Sequence, residues 1–346
     1  MKKLLIYIPT FNRLESLKKC IECIVASITD HQNEVQVIVS DNASTDGTSE
    51  YLKSLKYNFL ITSRNSNNIG LTRNVLKVFT LKTYAEFTWM IGDDDYLKDD
   101  AISRLVNEIN TNKEVDFYFL NTLSFPGKHK NVLFKLKKIS RIKCIFYRAK
   151  SHSKLNFDFL TTFKELFDPR IDHTFIGAVM CYAFRSNLVF DSVSSRIYAE
   201  DFSQAEMCYP HTLCYLNSLN PSTRSKHLHS PFTYNFWHEG NDWGVNGHDF
   251  VVSHGLGLVF FEALKLGFIK EESKIEYFRS YMAIANLSYL KLLKTYKDFP
   301  FDVELKESLF KMLITSYQYT REKPFILRFL NRFKLEIRNF LPLYDI

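Results

Sequence analysis

No stretch of about 18 apolar residues occurs in the chain, so a membrane-spanning helix is not expected. The apolar run Leu4–Ile8 is only five residues long before Pro9 and is followed by no small-residue cleavage site. That is too short for the core of a secretory leader. Cysteine is sparse and unpatterned: Cys20, Cys23, Cys144, Cys181, Cys208 and Cys214 give one C-x2-C pair and no second pair at zinc-ribbon spacing. Structural zinc is therefore disfavoured, and the six read as buried thiols in a reducing compartment. The expected location is cytoplasmic. No internal repeat or low-complexity tract is present, and no glycine-rich loop with a basic residue follows the first apolar run. The last absence weighs against nucleotidyl transfer.

What is present is an ordinary globular composition, 46% hydrophobic and 24% charged over 346 residues. This suits about two domains, or one large α/β domain with an appendage. The 31 Phe and 19 Tyr serve either a large core or a surface that meets lipid or sugar rings. The net charge of +7 is local. Between Lys128 and Lys150 lie nine Lys or Arg and no acid (Lys128, Lys130, Lys135, Lys137, Lys138, Arg141, Lys143, Arg148, Lys150), and the rest of the chain is slightly acidic. A local basic patch points to an anionic membrane surface or a phosphate group as partner rather than to nucleic acid.

The first 125 residues alternate between strand and helix patterns. Strands are expected at 4–8, 35–39, 57–62, 87–91 and 115–120, with helices at 14–28, from Asp46-Gly47 toward Leu55, at 71–81 and at 101–109. Such alternation means βαβ units and a mostly parallel sheet. Further on, a helix is expected near 157–167, an apolar run at 175–184 and a strand at 227–237. From about residue 250 the pattern is helical, at 259–266, 275–293, 303–317 and 325–341. The last of these mixes Ile326, Leu330, Phe333, Ile337 and Leu341 with Arg328, Arg332, Lys334 and Arg338. It reads either as a helix lying on a membrane surface or as one packed on the domain with a solvated basic face. The expected division is residues 1–245, made of a 1–110 half and a 111–245 half, followed by a helical region at 246–346.

The most informative run is Phe87-Thr88-Trp89-Met90-Ile91-Gly92-Asp93-Asp94-Asp95, a β-prone segment ending in three carboxylates. Adjacent anions repel unless a cation compensates them, and a hard divalent ion shared with substrate phosphates is one such cation. A solvated acidic loop is the plain alternative. In open α/β sheets ligands bind beyond the carboxyl ends of the strands. The segments Thr10-Phe11-Asn12-Arg13, Ser40-Asp41-Asn42-Ala43 and Gly92-Asp93-Asp94-Asp95 should therefore share one edge.

Four motifs stand in order: Ile8-Pro9-Thr10-Phe11-Asn12-Arg13, Val39-Ser40-Asp41-Asn42-Ala43-Ser44-Thr45-Asp46-Gly47-Thr48, Asn68-Ile69-Gly70-Leu71-Thr72-Arg73-Asn74 and Gly92-Asp93-Asp94-Asp95. Over about the first 110 residues the chain resembles family 2 glycosyltransferases of the GT-A fold, such as those building O-antigen, capsule or lipooligosaccharide. The resemblance implies a Rossmann-like, mostly parallel sheet flanked by helices, with a C-terminal helical extension. It also implies an inverting, metal-dependent transferase moving a sugar from a nucleoside diphosphate sugar to a glycan or lipid-linked oligosaccharide acceptor.

The family pattern sets Pro9, Thr10, Asn12, Arg13, Asp41, Asn68, Arg73 and Asn74 at the nucleotide. It sets the DXD aspartates at ribose (Asp93) and at Mg²⁺ or Mn²⁺ (Asp94, Asp95). The chain departs from it at Gly92, where the first acid of the run is missing. An acidic pair, Glu200-Asp201, matches the family's base in type and distance, with Asp201 taking the acceptor proton. His211, in Tyr209-Pro210-His211, is a rival base.

Each assignment has a structural alternative: an Asx turn at Asp41, a surface charge at Arg73, first-turn acids at 200–201 and a backbone-satisfied core ring at His211. His227 and His229 are either a late metal pair or ordinary strand residues. Trp237, Trp243 and Gly177-Ala178 either line the acceptor site or pack the core. A non-catalytic binding scaffold of the same fold is the remaining reading, favoured by the missing acid at 92.

Overall fold

The computed structural model describes residues 1–81, 85–126, 150–172, 174, 176–197, 205–237, 255–270, 273 and 277. The segment 127–149, the pair Glu200-Asp201, Trp243 and the expected helices from 275 onward lie outside the described residues, apart from the isolated residue 277. The elements, in chain order, are β1 (Lys2–Thr10), α1 (Leu14–Ile28), β2 (Val35–Asp41), α2 (Thr48–Ser54), β3 (Leu60–Arg64), α3 (Leu71–Leu76), β4 (Ala85–Met90) and β5 (Tyr96–Leu97). They continue with α4 (Ala101–Thr111), β6 (Phe117–Pro126), β7 (Lys150–Ser151), β8 (Phe159–Thr162), β9 (Tyr182–Arg185), α5 (Ala205–Cys208), α6 (Pro210–Ser218), β10 (Arg224–Trp237) and α7 (Leu256–Lys265).

The described strands form one ten-stranded sheet in the order β3-β2-β1-β4-β9-β6-β10-β5, with β7 on β6 and β8 on β10. Its longest ladders are parallel: β1 with β2 and β4, β2 with β3, and β10 with β6. Leu4 to Ile8 are all at most 1% exposed, the continuous apolar strand expected where helices cover both faces of a parallel sheet. The helix α1 buries Leu17, Cys20, Ile21, Ile24 and Ile28, a one-sided stripe. It meets α4, whose Ile102 N–H donates to Ser27 Oγ at 3.1 Å.

Two expectations are corrected and one apolar run is assigned. The helix expected near 157–167 is instead strand β8 followed by a 3-10 turn over Lys164–Phe167. The edge of β10 captures this segment, pairing Thr162, Thr161, Leu160 and Phe159 with Arg224 to His227. The apolar run 175–184 ends in β9, which inserts antiparallel between β4 and β6, so the fourth and fifth strands read from the sequence are not neighbours. The helix at 71–81 stops at Leu76 and tightens into a 3-10 turn to Thr80.

The core runs without a break from the first strands to residue 269. At its centre Phe117, wholly buried, packs its ring on Phe163, Tyr182 and Tyr215 at centroid distances of 4.9, 5.6 and 5.3 Å. This cluster joins β6, β9 and α6. Phe117→Ala should lower unfolding free energy by roughly 3–5 kcal/mol through lost burial and a residual cavity. A urea titration with an unchanged m-value and a lower midpoint is the expected record.

Candidate functional site

The carboxyl ends of the parallel strands are in register, Thr10 beside Asp41 and Asp41 beside Arg64. The loops after β1, β2 and β4 are then cross-tied by side chains. Thr10 Oγ1 donates to Asp93 Oδ2 at 2.7 Å. Asn12, held at φ 53°, accepts the Thr45 N–H at Oδ1 (2.7 Å), and its own N–H donates to Ser44 Oγ (2.9 Å). An asparagine tolerates this left-handed conformation better than most residues. Ala43, at φ 62°, has no such aptitude; its strained backbone sits beside Asp41.

Each member of the aspartate triplet has a different support. Asp93, 4% exposed, receives Thr10 and, at 3.3 Å, the Nε of Arg13. Asp94 is bound by the other end of the Arg13 guanidinium. Asp95, 3% exposed, accepts the Gly92 N–H at Oδ2 (2.7 Å) and the Asn235 amide at Oδ1 (2.7 Å). Burial first, and then the Asp94 charge, push the Asp95 carboxyl well above the usual carboxylate range, the mark of negative charge in excess of its compensation.

Gly92 fits here by volume. A Cβ at this position would stand 3.0 Å from Asp94 Oδ1 and 3.1 Å from Asp95 Oδ2. A fourth carboxylate would crowd and repel the two that are present. The missing acid thus has a steric and electrostatic cause inside the turn.

Asp41 is 1% exposed. Its Oδ1 accepts the Ser44 N–H at 2.9 Å, an Asx turn, and its Oδ2 is bound by Arg64, whose Nη2 also donates to the Ser44 carbonyl at 3.0 Å. Behind it lies an asparagine network. Asn42 donates to Asn68 Oδ1 (2.7 Å) and the Gly70 carbonyl (3.2 Å), and accepts from Asn65 (2.8 Å) and the Ile69 N–H (3.0 Å). Asn74 bridges Ser40 twice, accepting at 2.8 Å and donating at 3.0 Å, and its carbonyl receives the Tyr7 hydroxyl at 2.6 Å. Lys77 Nζ donates to Asn65 Oδ1 at 2.8 Å.

Of the residues singled out in the sequence, Pro9, Thr10, Asn12, Arg13, Asp41, Asn68, Asn74 and Asp93 to Asp95 come together on this edge. Arg73 faces elsewhere: its Nη2 donates to the Ile197 carbonyl at 2.6 Å, while neighbouring Thr72 reaches the Met207 carbonyl at 3.3 Å. Arg64, Asn65, Lys77 and Asn235 were not foreseen. Arg64 closes the third strand and was hidden by placing that strand too early; Asn235 carries no local signal.

His211 is 3% exposed, and its Nε2–H donates to the Gly177 carbonyl at 3.1 Å. Burial lowers its pKa to about 4. His227 is wholly buried, bonded to the Phe157 carbonyl and Ser153 Oγ, and sandwiched by Phe119 and Phe159. His229 pairs with Asp158 at 2.6 Å. Gly177 is fixed by packing: a Cβ would lie 2.8 Å from Leu256 and 2.9 Å from Tyr209. Among the described residues no group of three or more His, Cys, Asp or Glu is arranged to hold a metal ion. A carboxylate pair sharing a cation with phosphate and water is the arrangement these residues fit.

Residues 5–168 match the family model described as Glycosyl transferase family 2. Over 114 residues the chain is 34% identical to abequosyltransferase RfbV of Salmonella typhimurium strain LT2, covering 31% of this chain and 33% of that protein. The match thus spans about a third of that relative's length. Among solved structures, S. aureus TarS 1–349 in complex with UDP-GlcNAc superposes with a TM-score of 0.57 at 16% identity, over 90% of this chain and 79% of that one. The same fragment with UDP gives 0.51 at 15% identity, over 93% of each chain. Likeness at these identities establishes the fold, which is GT-A.

The buried His211 has a pH consequence. In the unfolded chain a histidine ionises near ~6.5, whereas the folded ring stays neutral down to about 4. Its stabilisation is therefore fully present above pH ~6.5 and is lost as pH falls through 4, a change of about 3 kcal/mol. His211→Gln, which keeps a donor for Gly177, should flatten the unfolding free energy between pH 7 and 4 relative to the parent.

Proposed function

We propose that the chain, whose residues 5–168 match the family model described as Glycosyl transferase family 2, is an inverting transferase using a nucleoside diphosphate sugar. The acceptor is a hydroxyl of a surface glycan, of the O-antigen, capsule or lipooligosaccharide kind, carried on lipid. The observation that carries this reading is the cross-tied edge: Thr10 to Asp93, Asn12 to Thr45 and Arg13 to the triplet. A nucleotide laid across it meets the ends of β1, β2 and β4 at once. The sugar chemistry of RfbV, and the presence of UDP-GlcNAc in the TarS complex, accord with such a donor.

The charges also favour a diphosphate brought in with a cation. Three carboxylates face one guanidinium, so an anionic donor alone would meet net negative charge in a partly buried setting. Asp94 and Asp95 would hold Mg²⁺ or Mn²⁺, which when bound would neutralise the departing diphosphate. Asp93 orients the ribose, and Asp41, fixed by Ser44 and Arg64, borders the base. The acceptor oxygen bonds to the anomeric carbon as the bond from that carbon to the diphosphate oxygen breaks, and the electron pair leaves on the nucleoside diphosphate. Asp201, next to Glu200, takes the hydroxyl proton. His211 is not given this role, because it is 3% exposed and burial lowers its pKa to about 4.

No helix among the described residues is long and apolar enough to cross a membrane. Contact with a lipid-borne acceptor at the cytoplasmic face is proposed to run through the basic segment 128–150. Purified protein should sediment with anionic vesicles at low salt and be released as salt screens the attraction; equal sedimentation with neutral vesicles would exclude this route.

Calorimetry with UDP, GDP, dTDP and CDP should reveal one nucleotide whose binding strengthens at least about tenfold with Mn²⁺; the absence of binding by all four would leave a non-catalytic scaffold. In single-turnover transfer, Asp201→Asn should slow the step by about 10²–10⁴-fold with donor affinity retained. A near-normal rate in Asp201→Asn, combined with loss in His211→Gln, would move the base to His211.

A further inference from the structure

The triplet lies in the turn just beyond the C-terminal end of β4, yet one of its aspartates is held by a residue 140 positions away. Strand β10 runs antiparallel to the short β5, with Tyr234 opposite Tyr96 and Thr233 opposite Leu97. This pairing carries Asn235 to the carboxylate that precedes Tyr96 in sequence. Asn235 Nδ2 lies 2.7 Å from Asp95 Oδ1, while the Gly92 N–H lies 2.7 Å from Oδ2. With one donor on each oxygen and 3% exposure, the carboxylate has a single orientation, and the second lone pair of each oxygen is left for a further partner.

We propose that Asn235 is a positioning residue for the metal carboxylate Asp95, supplied by the acceptor half of the sheet. This rests on the reading of Asp94 and Asp95 as the cation-holding pair. Neutral amide donation suits the task. It fixes the carboxylate without adding a charge: a cation at this place would compete with the metal, and an acid would add to the three anions already crowded there. Neither the Gly92 N–H, which belongs to the turn itself, nor Arg13, which is engaged with Asp93 and Asp94, can replace it. The register of β10 therefore matters to the donor site. On the opposite ladder Asn235 stands beside Ser124 of β6, and Thr233 is tied to Thr122 by a 2.6 Å hydroxyl pair.

The test is Mn²⁺ binding to the full chain, followed by the loss of the free-ion electron paramagnetic resonance signal, without turnover. It is run with Mn²⁺ alone and with Mn²⁺ plus each of UDP, GDP, dTDP and CDP. Asn235→Ala should weaken Mn²⁺ binding about 10–100-fold, the effect of removing a partner that orients a ligand. Asn235→Gln, which keeps the amide, should recover part of the loss. Thr233→Val, which breaks the neighbouring tie in the same strand without touching Asp95, should leave Mn²⁺ affinity within about twofold. Parent-like affinity in Asn235→Ala, or an equal loss in Thr233→Val, would overturn the assignment while the metal site stands. Absence of Mn²⁺ binding by the parent under every condition would remove the metal reading and this role with it.

Discussion

Three carboxylates in sequence at the end of a buried strand are the constraint to which the surrounding structure answers. Left alone they would splay toward water or take up protons. Instead β1 contributes Thr10, the start of α1 contributes Arg13, the turn contributes the Gly92 N–H and β10 contributes Asn235. A surface ion pair is worth little, roughly 0.2–1 kcal/mol, and Arg13 is a third exposed. The cohesion of the site accordingly comes more from the buried hydrogen bonds at Asp93 and Asp95, whose loss would leave ionised groups without partners.

The β2 end is made rigid by other means. Asn42, Asn65, Asn68 and Asn74 satisfy one another and nearby backbone groups, so the loops holding Asp41 and Gly70 are fixed without regular structure. Gly70 has φ 89° and ψ 158°, a region essentially reserved for glycine, and it sets the entry to α3. Donors and acceptors that close on themselves in this way give a site that is shaped before ligand arrives. On the proposed reading, a nucleotide would then lose less to ordering of the protein.

The legible part of the chain was the part in which local pattern and fold agree. Leu4–Ile8, Val35–Val39 and Phe87–Ile91 read as strands because each is a short apolar run, and parallel strands buried on both faces take that form. The polar segments following them could be placed on one edge from that fact alone. Residues 157–167 misled because Phe157, Leu160 and Phe163 also fit a helical spacing, and only pairing with β10 decides the matter. Arg73 illustrates a second limit. Its position at the start of α3 suggested an anion, but tertiary packing offers the Ile197 carbonyl instead. Asn235 marks the third: a single asparagine in an alternating strand says nothing until the sheet order is known.

Gly92 draws these points together. From sequence it looked like a lost ligand, and so like a weakened enzyme. In the turn, the space a side chain would need lies against Asp94 Oδ1 and Asp95 Oδ2. The tight Gly92-to-Asp95 turn is closed by the Asp95 N–H on the Gly92 carbonyl at 3.3 Å and by the Gly92 N–H on Asp95 Oδ2 at 2.7 Å, and a fourth acid there would press on the carboxylates of Asp94 and Asp95. With the turn's own N–H spent on one oxygen of Asp95, the other must be met from outside. Among the described residues β10 supplies that partner through Asn235, so that, on the proposed reading, the antiparallel step from β10 to β5 serves the donor site as well as the sheet.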